Sequence, residues 1–254
     1  MKLQLLLVRF DKLAQVLRSA NMLRALLRYR VLAGAEHRQV LKPDLATVVD
    51  IGANRGQFSL AVRRWAPTAR VFAFEPLPVP ATRFRKVFHG DVSVVLHQAA
   101  IGPKTGEAII HVSAADDSSS LLSISREQQR LFPGTGEVRT ETVRVGRLAD
   151  FVSGEDIVAP AMLKLDVQGF ELETLRGCED LLDRFLYVYA ECSFVELYTG
   201  QALAGDVIAW LYERGFTMCG VGNLSYDENG KSVQGDFLFA NNLNKGSGKI
   251  INRD

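Results

Sequence analysis

Apolar residues recur at three- and four-residue intervals through the first 33 positions (Leu3, Leu6, Leu7, Phe10, Leu13, Val16, Leu17, Leu23, Leu26 and Leu27). Lys2, Arg9, Lys12, Arg18, Arg24, Arg28 and Arg30 fall between them. This is the helical period, so residues 1–42 are predicted to form a basic amphipathic helical extension, broken near Ser19-Ala20-Asn21. Such a segment can attach to an anionic membrane or a partner, or pack as one or two helices across the main domain. After Pro43-Asp44 the period changes. Thr47-Val48-Val49-Asp50-Ile51 is the continuous β-branched run of a buried parallel strand. A glycine turn at 52–56, a helix over 57–66, a strand over 71–74, a helix over 79–88 and a strand over 92–96 follow. These β-α repeats predict a doubly wound sheet with right-handed crossovers.

Residues 101–150 interrupt the rhythm with turn signals, strands at 107–112 and 138–145 and the polar loop Asp116-Asp117-Ser118-Ser119-Ser120, which reads as an inserted β-hairpin element. The rhythm resumes with strands at 161–166, 186–190, 216–221 and 236–240 and helices after Gly169 and over 206–213. One domain over 43–243 results, with a polar tail at 244–254 expected to be disordered.

The charge is nearly balanced, with 30 basic and 29 acidic side chains among 254 residues, which argues against a nucleic-acid partner. The imbalance is local, since residues 1–42 hold nine basic and two acidic residues. Cys178, Cys192 and Cys219 form no CxxC pair and are expected as small core residues in a reducing compartment. No uncharged apolar run reaches 18 residues, so a cytoplasmic protein is expected, peripheral membrane contact through the basic extension being the alternative to its packing on the main domain. The four histidines are too dispersed for a metal site, and none is predicted.

In an open α/β sheet, ligands bind beyond the carboxyl ends of the strands. There the chain reads Asp50-Ile51-Gly52-Ala53-Asn54-Arg55-Gly56. Gly52 allows the sharp turn, and Gly56 a close ligand approach to the following helix. Glu75, 23 residues after Gly52, ends the second strand before Pro76, where a carboxylate can accept from both hydroxyls of a ribose. A nicotinamide dinucleotide site wants glycine where Asn54 stands. An acid two residues before the first glycine suits the ammonium of an amino-acid moiety instead, which points to S-adenosylmethionine.

These features sit in ordered blocks, VVDIGANRGQFSL, FAFEPLP, HQAAIGPKTGEAIIHV, the SSSLL loop, MLKLDVQGFELETLRG, YAECSF and QGDFLFAN. Over residues 47–241 the chain thereby resembles the FkbM family of S-adenosylmethionine-dependent methyltransferases. The family's K-x-D-x-E-G-x-E block has Gln168 here in place of its first glutamate. The resemblance implies a Rossmann-like class I methyltransferase fold, a mostly parallel seven-stranded sheet whose last strand runs antiparallel. It implies O-methylation of a sugar, glycan or secondary-metabolite hydroxyl. Asp50, Gly52, Ala53, Asn54 and Gly56 would line the methionine end, Glu75 and Pro76 the ribose, and Gln98, Ala99 and Ala100 the adenine.

Transfer to a hydroxyl benefits from a base. Asp166 is the first expectation, with Lys164 beside it and His97 as the rival. Lys164, Asp166 and Glu171 could equally be an ion-pair network bracing the loop. Ser119, Ser120, Glu171, Glu191 and Asp236 are expected on the acceptor side. A catalytically impaired cofactor-binding scaffold, hinted at by Gln168, and a nicotinamide oxidoreductase are the alternatives. Acceptor identity and oligomeric state are left open.

Overall fold

The structure is a computed structural model and describes residues 15–242. In chain order its first half comprises α1 (Ala20–Tyr29), β1 (Thr47–Ile51), α2 (Gln57–Trp65), β2 (Arg70–Phe74), α3 (Pro78–Val87), β3 (Val94–His97), β4 (Ala100–Ile101) and β5 (Gly106–Ser113). The second half comprises α4 (Arg126–Leu131), β6 (Glu137–Gly146), β7 (Ala161–Leu165), α5 (Glu171–Cys178), β8 (Tyr187–Ser193), α6 (Ala204–Glu213), β9 (Phe216–Tyr226) and β10 (Ser232–Asn241).

Seven strands form the main sheet in the order β3-β2-β1-β7-β8-β10-β9. All run the same way except β10, which pairs antiparallel with both β8 and β9. This is the doubly wound class I methyltransferase arrangement, α/β and mostly parallel. β1 lies in the middle and is buried at every position, which is why it reads as unbroken β-branched sequence. Val49 and Ile51 pack with Leu175 and Cys178 of α5 and Val207 and Leu211 of α6. Val48 turns to the opposite core, with Phe58, Ala61 and Val62 of α2 and Phe84 of α3. The strand order reverses between β1 and β7, and ligand chemistry is expected above that point.

The insertion is a three-stranded sheet in the order β4-β6-β5, one strand more than the expected hairpin. β4 escapes the sequence because two residues carry no periodicity. Its Ala100 and Ile101 run parallel to Val145 and Gly146. β9 runs on to Tyr226 because a sheet-edge strand needs no apolar alternation, and its residues 217–226 are mostly exposed. Cys178 and Cys192 are buried as expected, but Cys219 lies on this edge strand and is exposed.

Ser19 caps α1 by accepting from the Met22 amide, and Arg30, in the left-handed region, ends it. Val16, Met22, Ala25, Val31, Ala33 and Leu41 are buried in the same core as α2 and α3. The described part of the extension therefore packs across the main domain, with Leu17 and Leu27 left exposed. The expected start of the extension and the expected tail lie outside the described residues. No helix among the described residues is long and apolar enough to cross a membrane.

Candidate active site

A cavity of about 370 Å³ opens over the carboxyl ends of β1, β2 and β7, a size suited to a small molecule. Its floor is the glycine turn. Gly52 sits at φ +75°, and a Cβ there would lie 1.8 Å from the Asp166 carbonyl oxygen, so this crossing of two backbones admits only glycine. The Gly52 and Ala53 amides both donate to Phe74 O, at 3.1 and 2.9 Å, tying the turn to β2. The next amide, of Asn54, donates to Glu75 Oε2 at 2.9 Å, and the Leu77 amide donates to Glu75 Oε1 at 2.8 Å.

Glu75 is thus aimed by two backbone donors, and each of its oxygens keeps a further lone pair. Burial pushes its carboxyl up to about 7, against the pull of those two donors. Ala53, Pro76, Ala99 and Ala100 line the same end of the cavity and leave room for a flat ring. Asn54 is held at φ +46°, and its Oδ1 is buried without a hydrogen-bond partner. These features fit S-adenosylmethionine. A doubly accepting carboxylate stands for the ribose, small side chains for the base, and an unsatisfied acceptor for an ammonium N–H.

Three expected cofactor residues do not line the cavity. Asp50 is fully buried, its Oδ1 3.1 Å from Lys164 Nζ and its Oδ2 accepting from Ser59 Oγ at 2.7 Å. Strand alternation is the reason, because the Asp50 side chain falls with Val48 on the α2 face. Gly56, at φ +95°, serves helix packing, since a Cβ would meet Phe88 Cε2 at 2.5 Å and Phe84 Cδ2 at 3.1 Å. Gln98 is exposed and accepts from Arg85 Nη2 at 3.1 Å.

At the other end, Lys164 and Asp166 face the cavity from β7 and the loop after it. Lys164 Nζ donates to Gly52 O at 3.2 Å and lies 3.1 Å from Asp50 and 3.6 Å from Asp166. Burial opposes its charge, yet the surrounding carboxylates hold its ammonium above the usual lysine range. It is a fixed cation. Gln168, at φ +56°, bridges two acids, donating through Nε2 to Asp166 Oδ1 at 2.8 Å and to Glu191 Oε2 at 2.9 Å. Its Oε1 lies 2.8 Å from the Tyr198 hydroxyl, which donates to it. A neutral amide can donate to both carboxylates at once, whereas an ionised glutamate has no proton to give.

Ser119 and Ser120 line the cavity, and Ser120 Oγ donates to Gln168 O at 2.6 Å, fastening the insertion to the β7 loop. Glu171 does not face the acceptor space. It is buried, its Oε1 accepts from the Val167 and Gly169 amides at 3.2 and 3.1 Å, and burial pushes it up to about 7. Glu191 and Asp236 also lie off the cavity wall. Glu191 is clamped by the Gln168 and Gln234 amides, and burial among other acids raises its carboxyl well above the usual range. Asp236 Oδ2 accepts from the Tyr189 hydroxyl at 2.8 Å and from Asn223 Nδ2 at 2.7 Å. His97 is stacked 5.0 Å from Phe74, with Phe151 at 5.5 Å, away from the cavity wall. Burial and Arg144 lower its pKa.

Several residues of the cavity wall are not marked as such by the sequence, which shows Asp116 and Asp117 only as part of a polar loop. Asp116 and Asp117 come from the insertion, where Arg55 donates to Asp116 Oδ2 at 3.0 Å through Nε and so joins the glycine turn to it. Glu36 and His37 come from a 3-10 turn, Ala35–Gln39, within the extension. A lone histidine in a helical extension gives no spacing by which to find it.

The family description "Methyltransferase FkbM domain" matches residues 50–218. The chain is 30% identical over 175 residues to the 2-O-methyltransferase NoeI of Sinorhizobium fredii, covering 65% of this chain and 72% of that protein. It is 32% identical over 208 residues to the 31-O-demethyl-FK506 methyltransferase FkbM of Streptomyces tacrolimicus, covering 72% of this chain and 76% of that one. Among solved structures, magnesium protoporphyrin IX methyltransferase of Synechocystis PCC 6803, with bound S-adenosylmethionine, aligns at a TM-score of 0.45 and 11% identity, covering 82% of this chain and 80% of that one. The chain belongs to the FkbM methyltransferase family and is an S-adenosylmethionine-dependent methyltransferase.

Proposed function

We propose that this methyltransferase acts on oxygen, methylating a hydroxyl of a small polyhydroxylated acceptor such as a sugar, a glycan unit or a hydroxylated secondary metabolite. The observation that carries this reading is the character of the acceptor end. Glu36, Asp116, Asp117 and Asp166 line it, with Lys164 as the cation among them. Carboxylates accept from neutral hydroxyls and repel phosphates, so the wall suits a saccharide and disfavours a nucleic-acid backbone. Both relatives' names place their methyl groups on oxygen, which supports the same reading.

Within it, Glu75 would bind the ribose hydroxyls, Ala99 and Ala100 would flank the base, and Asn54 Oδ1 would accept from the ammonium group. Bound there, S-adenosylmethionine supplies an electrophilic methyl group on a positively charged sulfur, a leaving group needing no acid. What remains for the protein is alignment, which can contribute up to about 7–11 kcal/mol. Asp166, its Oδ1 fixed by Gln168, would hold an acceptor hydroxyl. Lys164 would brace the Gly52 carbonyl and Asp166 together, so that the turn and the acceptor acid keep one spacing.

Incubation with methyl-labelled S-adenosylmethionine and a panel of saccharides and hydroxylated metabolites tests this. Methyl ethers on carbohydrate or metabolite hydroxyls are expected. Label on nitrogen or carbon would reject O-methylation. Bound cofactor with no transfer across the panel would favour the scaffold alternative.

A further inference from the structure

The geometry points to His37 as the group that takes the acceptor's proton, oriented for that task by Tyr189 and Asp236. His37 and Asp236 both lie outside the matched family region, 50–218, and neither side of the relay belongs to the glycine-turn motif. The inference rests on the O-methylation reading above.

The chain of hydrogen bonds fixes the tautomer. The Tyr189 hydroxyl donates to Asp236 Oδ2 at 2.8 Å, which uses its one proton. His37 Nδ1 lies 2.9 Å from that same hydroxyl oxygen. With no tyrosine proton left to receive, His37 must supply one, so Nδ1 carries hydrogen and Nε2 carries the lone pair. Nε2 stands 3.8 Å from Glu36 Oε1, beyond hydrogen-bond distance but close enough to favour an imidazolium once formed. The ring sits edge-on to Phe58 at 5.2 Å and to Tyr189 at 5.6 Å, and it lines the cavity together with Lys164 and Asp166. Orientation and tautomer are both supplied.

The charged groups around the ring come from every element packed on it. Asp236 from β10, Glu36 from its own turn and Asp166 after β7 favour the protonated form, and Lys164 from β7 opposes it. Burial outweighs them and lowers the imidazole below its ordinary value, so His37 is neutral and ready to accept at pH 7. Tyr189, raised by burial and by Asp236, stays protonated.

In the transfer, the acceptor's O–H proton passes to Nε2 while an oxygen lone pair forms the new O–C bond. The methyl–sulfur bond breaks with its electrons left on sulfur, so the positive charge lost there reappears on the imidazolium. Products are a methyl ether, the neutral thioether and His37 in its charged form, which returns its proton to water.

Two measurements test this on the full chain. The first needs no turnover, being long-range proton–nitrogen spectra of histidine-labelled protein, with His37 assigned by loss of its signals in H37Q. A bare Nε2 and a protonated Nδ1 are expected in the wild type, with that preference lost in Tyr189→Phe. An Nε2–H tautomer, or one indifferent to Tyr189→Phe, would overturn the relay. The second is turnover with whichever panel acceptor is methylated. H37Q should lower kcat by roughly 10²–10⁴-fold and Tyr189→Phe by about tenfold, both with S-adenosylmethionine affinity within about twofold of wild type. Thermal melting separates these losses from unfolding. H37Q turnover within about threefold of wild type, with Asp166→Asn abolishing turnover, would assign the proton to Asp166 instead. Should no panel member be methylated, the O-methylation reading fails separately, and the tautomer still upholds or overturns the relay.

Discussion

The two ends of the cavity are built on different principles. The donor end is a backbone structure. Two consecutive amides of the glycine turn are anchored to Phe74 O, a third aims Glu75, and Ala53, Pro76, Ala99 and Ala100 at the strand ends complete that part of the wall. The acceptor end is assembled from side chains that lie far apart in the chain: Glu36 and His37 before β1, Asp116 and Asp117 in the insertion, and Lys164, Asp166 and Gln168 around β7. A site made by a turn tolerates little variation in sequence. A site made by converging side chains can be refitted to another acceptor while the donor end stays as it is.

The ends meet at Gly52, and Gly52→Ala is the harshest way to break the contrast. The added methyl group would have to displace the Asp166 carbonyl while occupying φ +75°. Loss of both cofactor binding and turnover is expected, with a thermal midpoint lowered by several degrees, read by melting curves and calorimetric titration. A variant that loses turnover alone would show the two ends to be less tightly joined than the backbone crossing indicates. Glu75→Ala should act on one end only. It removes two charge-assisted acceptors, each worth about 1.5–3 kcal/mol. It should therefore weaken S-adenosylmethionine binding at least about tenfold by calorimetry, and unchanged affinity would dismiss the ribose assignment.

The same contrast explains what could be read in advance. β1, the glycine turn and Glu75 stand out because a buried parallel strand, a φ > 0 turn and a strand-end acid each demand particular residue types at short spacing. Asp50 misled because the spacing that places an acid before the turn does not say which face of β1 it occupies, and that face belongs to Lys164 and Ser59. Gly56 was legible as an obligatory glycine but not in its purpose, since the rings of Phe84 and Phe88 arrive from another helix. Asp236 was expected on the acceptor side as a strand-end acid, but the links among His37, Tyr189 and Asp236 were out of reach. Their bonds join positions 47 and 152 residues apart, and no local pattern reports a contact of that range.

A gentler probe sharpens the donor end through pH. Burial raises the Glu75 carboxyl of the free protein to about 7, and ribose hydroxyls held there, as proposed, would donate to its ionised form. Affinity for S-adenosylmethionine should therefore be level above pH 7 and fall below it, by at most about tenfold per pH unit, as the carboxyl takes up a proton. Folding has the opposite sense. Since this carboxyl is raised above its unfolded value of 4.5, its contribution weakens stability as pH rises between about 4.5 and 7. Glu75→Gln should remove both dependences, and calorimetry with melting curves across pH 5–8 checks them together.

The smallest effect expected concerns the departure at position 168. Gln168 donates to Asp166 and Glu191 together. Restoring the family's glutamate would replace that shared donor with a third acid, leaving the two carboxylates to face another charge unless the newcomer holds a proton. Gln168→Glu should thus cost stability at pH 8, about 1–3 kcal/mol for the hydrogen bonds left unmade, and recover most of it near pH 5. S-adenosylmethionine affinity should stay within about twofold, because the donor end owes its geometry to backbone amides that this side chain does not contact. A variant equally stable at both pH values would mean that the acids rearrange around the new carboxylate, and the amide bridge would then be a convenience of packing. A drop in cofactor affinity would instead show the acceptor-side network reaching through Asp166 and its carbonyl contact to Gly52, and the division between the two ends would have to be redrawn.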